Sequence, residues 1–113
     1  MSQLTTHVLD LSAGRPAENV PLLLEVQASA GAWKQVGRGT TDKDGRSRDL
    51  LPPDGLIEGT YRLTSDTQAY FASNQVKTLY PQVSVIFSVG DASQHYHIPL
   101  LLSPFGYSTY RGN

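Results

Sequence analysis

The residues best suited to chemistry in this chain are its three histidines and an arginine that follows a glycine in an acidic turn. His95-Tyr96-His97 puts two imidazoles on the same face of a strand, with Cα atoms roughly 6.5–7 Å apart. His7 lies on another strand-like segment, on a face it shares with Leu9 and Leu11. An H-x-H pair with a third histidine could hold a metal. The same groups suit metal-free acid–base work, because an unperturbed pKa of about 6.5 keeps both forms available near neutral pH. Histidines on a sheet face also occur with no function at all, so spacing alone leaves three readings open. Arg46 ends Thr41-Asp42-Lys43-Asp44-Gly45. It reads either as a solvated loop arginine paired with Asp42 or Asp44, or as a guanidinium of fixed donor geometry for an anion or carbonyl. Arg111 carries the same ambiguity. Tyr107 and Tyr110 fall on opposite faces, one expected in the core and the other at a site. Asp10 is a candidate partner for a histidine, though it lies on the face opposite His7, and Trp33, Phe87 and Phe105 are expected in the core.

These groups must be positioned by short strands. Leu4 to Leu11 alternates as a strand, Ser12–Pro16 reads as a turn, and Val20–Ser29 and Trp33–Thr41 form a hairpin candidate across Ala30-Gly31. Thr41–Arg46 is a polar turn in which Gly45 suits φ > 0. Leu50–Gly59, with two prolines and two glycines, reads as irregular. Thr60–Ser65, Val83–Val89, Gln94–Leu102 and Tyr107–Arg111 read as further strands. Pro99 suggests an edge or bulge near His97. Asp66–Asn74 is the one helix expected, capped by Asp66 or Thr67, ended by Asn74, and placed to close one end of a sandwich. Seven or eight short strands with one short helix predict an all-β antiparallel sandwich.

At 113 residues a single domain over 1–113 is expected, long enough to bury a core without staples. The absence of cysteine excludes disulfides, thiolate metal sites and thiol nucleophiles. Nine basic and ten acidic residues give a net charge of -1, which argues against nucleic acid or an acidic membrane as partner. The longest apolar runs, Pro21–Leu24 and Pro99–Leu102, are too short to span a bilayer. Met1-Ser2-Gln3-Leu4 has neither a basic nor an apolar leader region, so no signal peptide is expected. A cytoplasmic location is favoured, with peroxisome and processed periplasmic protein as alternatives. There is no nucleophile elbow, phosphate loop or dinucleotide fingerprint. Thr5-Thr6 and Ser108-Thr109 offer hydroxyls, but no spacing marks a nucleophile.

Three stretches together resemble the 5-hydroxyisourate hydrolases, the transthyretin-related enzymes of urate degradation. They are Leu4-Thr5-Thr6-His7-Val8-Leu9-Asp10, Thr41-Asp42-Lys43-Asp44-Gly45-Arg46, and His95-Tyr96-His97-Ile98-Pro99-Leu100-Leu101-Leu102-Ser103-Pro104 through Tyr107-Ser108-Thr109-Tyr110-Arg111-Gly112. The resemblance covers essentially the whole chain, and the last stretch is the most specific. Transthyretin, the hormone carrier on the same fold, lacks the His/Arg/His set and the Tyr-Arg-Gly ending. The resemblance implies a transthyretin-like sandwich of two four-stranded antiparallel sheets with one short helix. It implies a homotetramer, a dimer of dimers, with sites shared at the dimer–dimer interface. The implied reaction opens the six-membered ring of 5-hydroxyisourate to give 2-oxo-4-hydroxy-4-carboxy-5-ureidoimidazoline, with no metal and no organic cofactor. His7, Arg46 and His97 are the implied catalytic residues. Tyr110, Arg111, Gly112 and Asn113 join His7 and Arg46 as implied substrate-binding residues. Beside them His95 reverts to a supporting role. Asn113 departs from the serine that usually ends the family's tail, which keeps a backbone carboxylate but puts any role of the serine hydroxyl in doubt. The competing reading is a transthyretin-like carrier that holds an aromatic ligand in the tetramer channel without catalysis.

Overall fold

The computed structural model describes residues 3–113, so the Met1–Ser2 start weighed above as a leader lies outside the described residues. Two sheets face each other. The first holds β1 (Leu4–Asp10), β2 (Arg15–Pro16), β5 (Arg46–Ser47), β8 (Tyr96–Ser103) and β9 (Gly106–Thr109). It runs in the order β2-β1-β8-β9, with β5 also paired to β1. The second holds β3 (Pro21–Gln27), β4 (Trp33–Thr40), β6 (Gly59–Ser65) and β7 (Val83–Val89), in the order β4-β3-β6-β7. The core is the inward set of alternating side chains: Leu4 and Val8 of β1, Leu22 and Leu24 of β3, Tyr61 and Leu63 of β6, Val83 and Val89 of β7, and Ile98, Leu100 and Leu102 of β8. Alternation therefore decides which groups face out. With Val8 buried, His7 and its neighbour Leu9 are turned to the outer face of the sheet.

One pairing departs from the antiparallel expectation. β1 and β8 are parallel, in register from Leu4↔Tyr96 to Asp10↔Leu102. The two strands come from opposite ends of the sequence, and the long intervening chain, which builds the other sheet, permits the crossover that parallel strands need. Two further strands, β2 and β5, replace segments expected as turns. Each is two residues long and, among the described strands, pairs with β1 alone. Pro99 is not on an edge strand: β8 lies between β1 and β9. Its missing N–H has a local effect nonetheless. Pairing with β9 stops at Leu100↔Thr109 and is resumed in the same register by a single bridge at His97↔Gly112.

The helix α1 (Thr67–Ser73) begins and ends as its sequence predicts. Asp66 caps it by accepting from the Ala69 N–H at 3.0 Å, and Asn74 closes it. Tyr70 and Phe71 are buried, and the Tyr70 hydroxyl donates to Asp10 Oδ2 at 2.7 Å. Asp10 is thus engaged by the helix and by Ser12 and Ala13, not by a histidine. Burial and that carboxylate push the Tyr70 hydroxyl up to about 12. Phe105 is 72% exposed because it sits at the tip of the tight β8–β9 hairpin. Neither Tyr107 nor Tyr110 is in the core; both are exposed. Trp33 is half-buried beneath Arg62, whose guanidinium carbon lies 4.4 Å from the ring centroid.

The turn before β5 is the local device that sets Arg46 opposite His7. Gly45 has φ +76°, and a Cβ there would run into the Val8 carbonyl oxygen. This close approach lets the Val8 N–H donate to the Gly45 carbonyl at 2.7 Å and docks the turn on β1. Gly45→Ala is expected to destabilise the fold by about 1–3 kcal/mol, read as a lower urea midpoint; an unchanged midpoint contradicts this account of the turn.

Candidate active site

The outer face of the first sheet gathers residues from three strands. His7 is the register partner of Arg46 across β1–β5, and Thr5 is the register partner of His97 across β1–β8. Their side chains therefore project to one side within two residues of each other. His95 joins them from just before β8. The His7 and His97 ring centroids are 6.5 Å apart, and those of His95 and His97 are 6.4 Å apart. A recess of about 150 Å³ opens here, lined by Thr5, Arg46, Arg48, His95, His97 and Asn113 among others, with His7 beside it.

Arg46 owes its availability to main-chain bonding. Asp42 Oδ1 accepts from the N–H groups of Asp44 at 2.9 Å and Arg46 at 3.0 Å. The Arg46 N–H is the leading cause holding the Asp42 carboxyl below its usual range. That carboxylate is thereby fixed on the turn's backbone. Among the described residues the one ion pair is Arg62–Glu25, in the other sheet, so the Arg46 guanidinium has no carboxylate partner there. The salt-bridged loop arginine weighed from the sequence is therefore not what forms. Arg48, two residues on, adds a second guanidinium to the recess. Sequence reasoning passed over it because an arginine after a turn carries no spacing signal of its own.

Both rings of the pair are held toward the neutral form. Burial is the main cause that lowers His7 below the ordinary histidine value, and the Arg46 charge adds to it. The Asp44 backbone and the carboxylates of Asp42 and Asp44 oppose the shift without reversing it. Burial also leads for His97, followed by the charges of His7, His95 and Arg46. A neutral imidazole beside unpaired guanidinium groups is a base next to an anion-binding site. Among the described residues no group of three His, Asp or Glu side chains converges closely enough to hold a metal ion.

The tail is divided. Gly112 lies against His97: its N–H donates to the His97 carbonyl at 2.7 Å, and a Cβ on it would come within 2.5 Å of His97 Cδ2. Asn113 reaches the recess. Tyr110 and Arg111 do not. They border a separate hollow of about 260 Å³ against Val85, Phe87, Tyr96 and Ile98, between the edges of the two sheets. Arg111 is drawn away by Gln94 Oε1 at 2.9 Å, the His95 carbonyl at 3.2 Å and the Tyr96 ring at 4.3 Å. Within one chain, then, His7, Arg46, His97 and Asn113 converge, Gly112 backs His97, and Tyr110 and Arg111 face elsewhere.

A family model described as "Transthyretin: HIUase/Transthyretin family" matches residues 4–112. The chain belongs to the HIUase/transthyretin family. Within that family it is 45% identical to a "Probable 5-hydroxyisourate hydrolase" of Caenorhabditis elegans over 112 residues, covering 99% of this chain and 82% of that protein. It is 42% identical to the 5-hydroxyisourate hydrolase of Mus musculus over 113 residues, covering 99% and 96%. Among solved structures, sea bream transthyretin in complex with thyroxine superposes with a TM-score of 0.92 at 32% identity, covering 97% of this chain and 94% of that one. The same sandwich is therefore shared by a 5-hydroxyisourate hydrolase and by a transthyretin in complex with thyroxine, and the site has to distinguish them.

The electrostatics of the face can be measured directly. Arg46→Gln removes a positive charge that disfavours protonation, so the pKa of both rings rises, more for His7 than for His97. Nuclear magnetic resonance titration of the ring protons checks this, and unshifted midpoints contradict the arrangement.

Proposed function

We propose that this chain hydrolyses 5-hydroxyisourate in urate degradation, with His97 as general base, Arg46 as the oxyanion-binding cation and water as the nucleophile. The observation that carries the reading is the convergence of His7, Arg46 and His97 on one face, with both imidazoles held toward the neutral form and Arg46 without a carboxylate partner among the described residues. The curated relatives named above as 5-hydroxyisourate hydrolases support the substrate.

The ring of 5-hydroxyisourate is an electron-poor, readily ionised heterocycle of carbonyl and N–H groups. Arg46, assisted by Arg48, suits its anionic oxygens through paired N–H donors. His97 takes a proton as the water oxygen bonds to the ring carbonyl carbon, and negative charge develops on the carbonyl oxygen beside Arg46. The carbon–nitrogen bond of the cyclic amide then breaks. The nitrogen keeps that electron pair and receives the proton from the His97 imidazolium, and the carbon leaves as a carboxylate whose proton passes to solvent. His7 orients the water and the ring. Asn113 forms one border of the recess, which supports a role for it beside the substrate, while Tyr110 and Arg111 are turned aside.

An assembly of four chains belongs to the same reading. Among the described residues β7 and β9 are sheet edges with no further strand paired to them, and exposed Ile86, Tyr107 and Tyr110 lie along or beside them. Leu11, 58% exposed, continues the face that bears His7. A chain without cysteine suits a reducing compartment such as the cytoplasm. Among the described residues no helix is long and apolar enough to cross a membrane.

The carrier reading draws on the sea bream structure, but a carrier has no use for neutral histidines beside an unpaired arginine. His97→Ala and Arg46→Ala are expected to fold and assemble while losing roughly 10²–10⁴-fold in turnover. Decay of the absorbance of freshly generated 5-hydroxyisourate measures this, and near-wild-type rates in either variant overturn the assigned roles. Activity is expected to survive exhaustive chelation. Sedimentation is expected to give four chains; a stable monomer with full activity contradicts the shared-site assembly.

A further inference from the structure

One hydroxyl stands between two imidazoles. Thr5 Oγ1 lies 2.8 Å from His97 Nδ1 and 3.0 Å from His95 Nε2. The parallel register makes this inevitable: Thr5 is directly opposite His97, and His95 precedes it by two residues on the same face. Thr5 is only 5% exposed, so bulk water does not easily take over either contact. Neither it nor His95 has a role in the reaction described above.

A threonine hydroxyl carries one proton. Among the described residues Thr5 Oγ1 has these two partners and no third. If its proton is used, the chain of bonds has a direction. Either His97 Nδ1–H donates to Thr5 and Thr5 donates to His95 Nε2, or the whole chain runs in reverse. In the first case His97 Nε2 is bare and can accept a proton. In the second Nε2 is protonated and the ring is no base. The first agrees with the electrostatics of the ring: the Thr5 main chain opposes the lowering of the His97 pKa, in the sense an acceptor would, while the Oγ1 contact at 2.8 Å supplies the geometry.

We propose that Thr5 and His95 are positioning residues that hold His97 as its Nδ1–H tautomer, through the chain His97 Nδ1–H to Thr5 Oγ1–H to His95 Nε2, and so leave Nε2 free as the base. The link to turnover rests on the reading of His97 as general base; the tautomer itself does not. Free imidazole side chains prefer the Nε2–H form, so the proposed state has a distinct signature. His95, which the sequence left as a supporting residue, becomes the terminal acceptor that allows Thr5 to point its proton away from His97.

The test is long-range proton–nitrogen correlation of the 15N-labelled full chain near pH 8. His97 is expected to show a protonated Nδ1 and a bare Nε2, and His95 the same. Thr5→Val is expected to return His97 toward the Nε2–H form and to lower kcat roughly ten- to a hundredfold, with KM within about twofold of wild type. Thr5→Ser restores both. His95→Phe, at an exposed position, removes the acceptor from the other end and is expected to shift His97 in the same direction. A wild-type His97 protonated on Nε2 overturns the relay, whatever the rates. An Nδ1–H pattern with undiminished kcat in Thr5→Val overturns its role in turnover. Full activity of His97→Ala is a separate result and strikes the base assignment alone.

Discussion

The parallel pairing of β1 with β8 is the constraint on which the rest depends. Seven consecutive register partners lock the two ends of the chain together. A slip of one residue would turn His7 inward and Val8 outward, exchanging a titratable ring for a core side chain. The hydrophobic core therefore enforces the geometry of the polar face. Leu4, Val8, Ile98 and Leu100 cannot be buried without putting Thr5, His7 and His97 side by side on the outside. The burial that holds the sandwich together and the placement of the candidate site are one requirement.

β5 adds the missing charge. It is two residues long and could not persist alone, yet it sits opposite His7 because Gly45 allows the turn to press against Val8. Asp42 serves the turn's own backbone, which keeps its carboxylate off the guanidinium that follows. An arginine in an acidic loop is ordinarily a weakly paired surface charge. Here the carboxylate nearest in sequence is spent on two main-chain N–H groups, and the arginine is left for a ligand.

Much of this was legible in the sequence. Alternation in Leu22–Val26 and Val83–Val89 marked strands and their inward faces, and Asp66 and Asn74 marked the helix ends, because those signals are local. The parallel register, the two-residue strands β2 and β5 and the bridge at Gly112 were not legible, since each is a pairing between distant segments with no periodicity to betray it. Asp10 is only a candidate histidine partner in the sequence, on the face opposite His7, and Tyr70, sixty residues away, takes it. Phe105 was assigned to the core by residue type, whereas its place in a tight hairpin puts it in solvent. For the candidate site, the motifs point to His7, Arg46 and His97, while the Thr5 hydroxyl between two imidazoles appears only when the two strands are laid together.

The account turns on a neutral imidazole acting as base on this face, so the most direct measurement is the pH dependence of kcat/KM for 5-hydroxyisourate hydrolysis. Burial and neighbouring positive charge hold His97 and His7 below the ordinary value of 6.5. The neutral, competent form then persists as pH falls past 6.5 and is lost only as pH drops through the depressed value. The predicted profile is flat through neutrality, with an acid limb whose midpoint lies below 6.5. A midpoint above 6.5, or a rate indifferent to pH across that range, would contradict it.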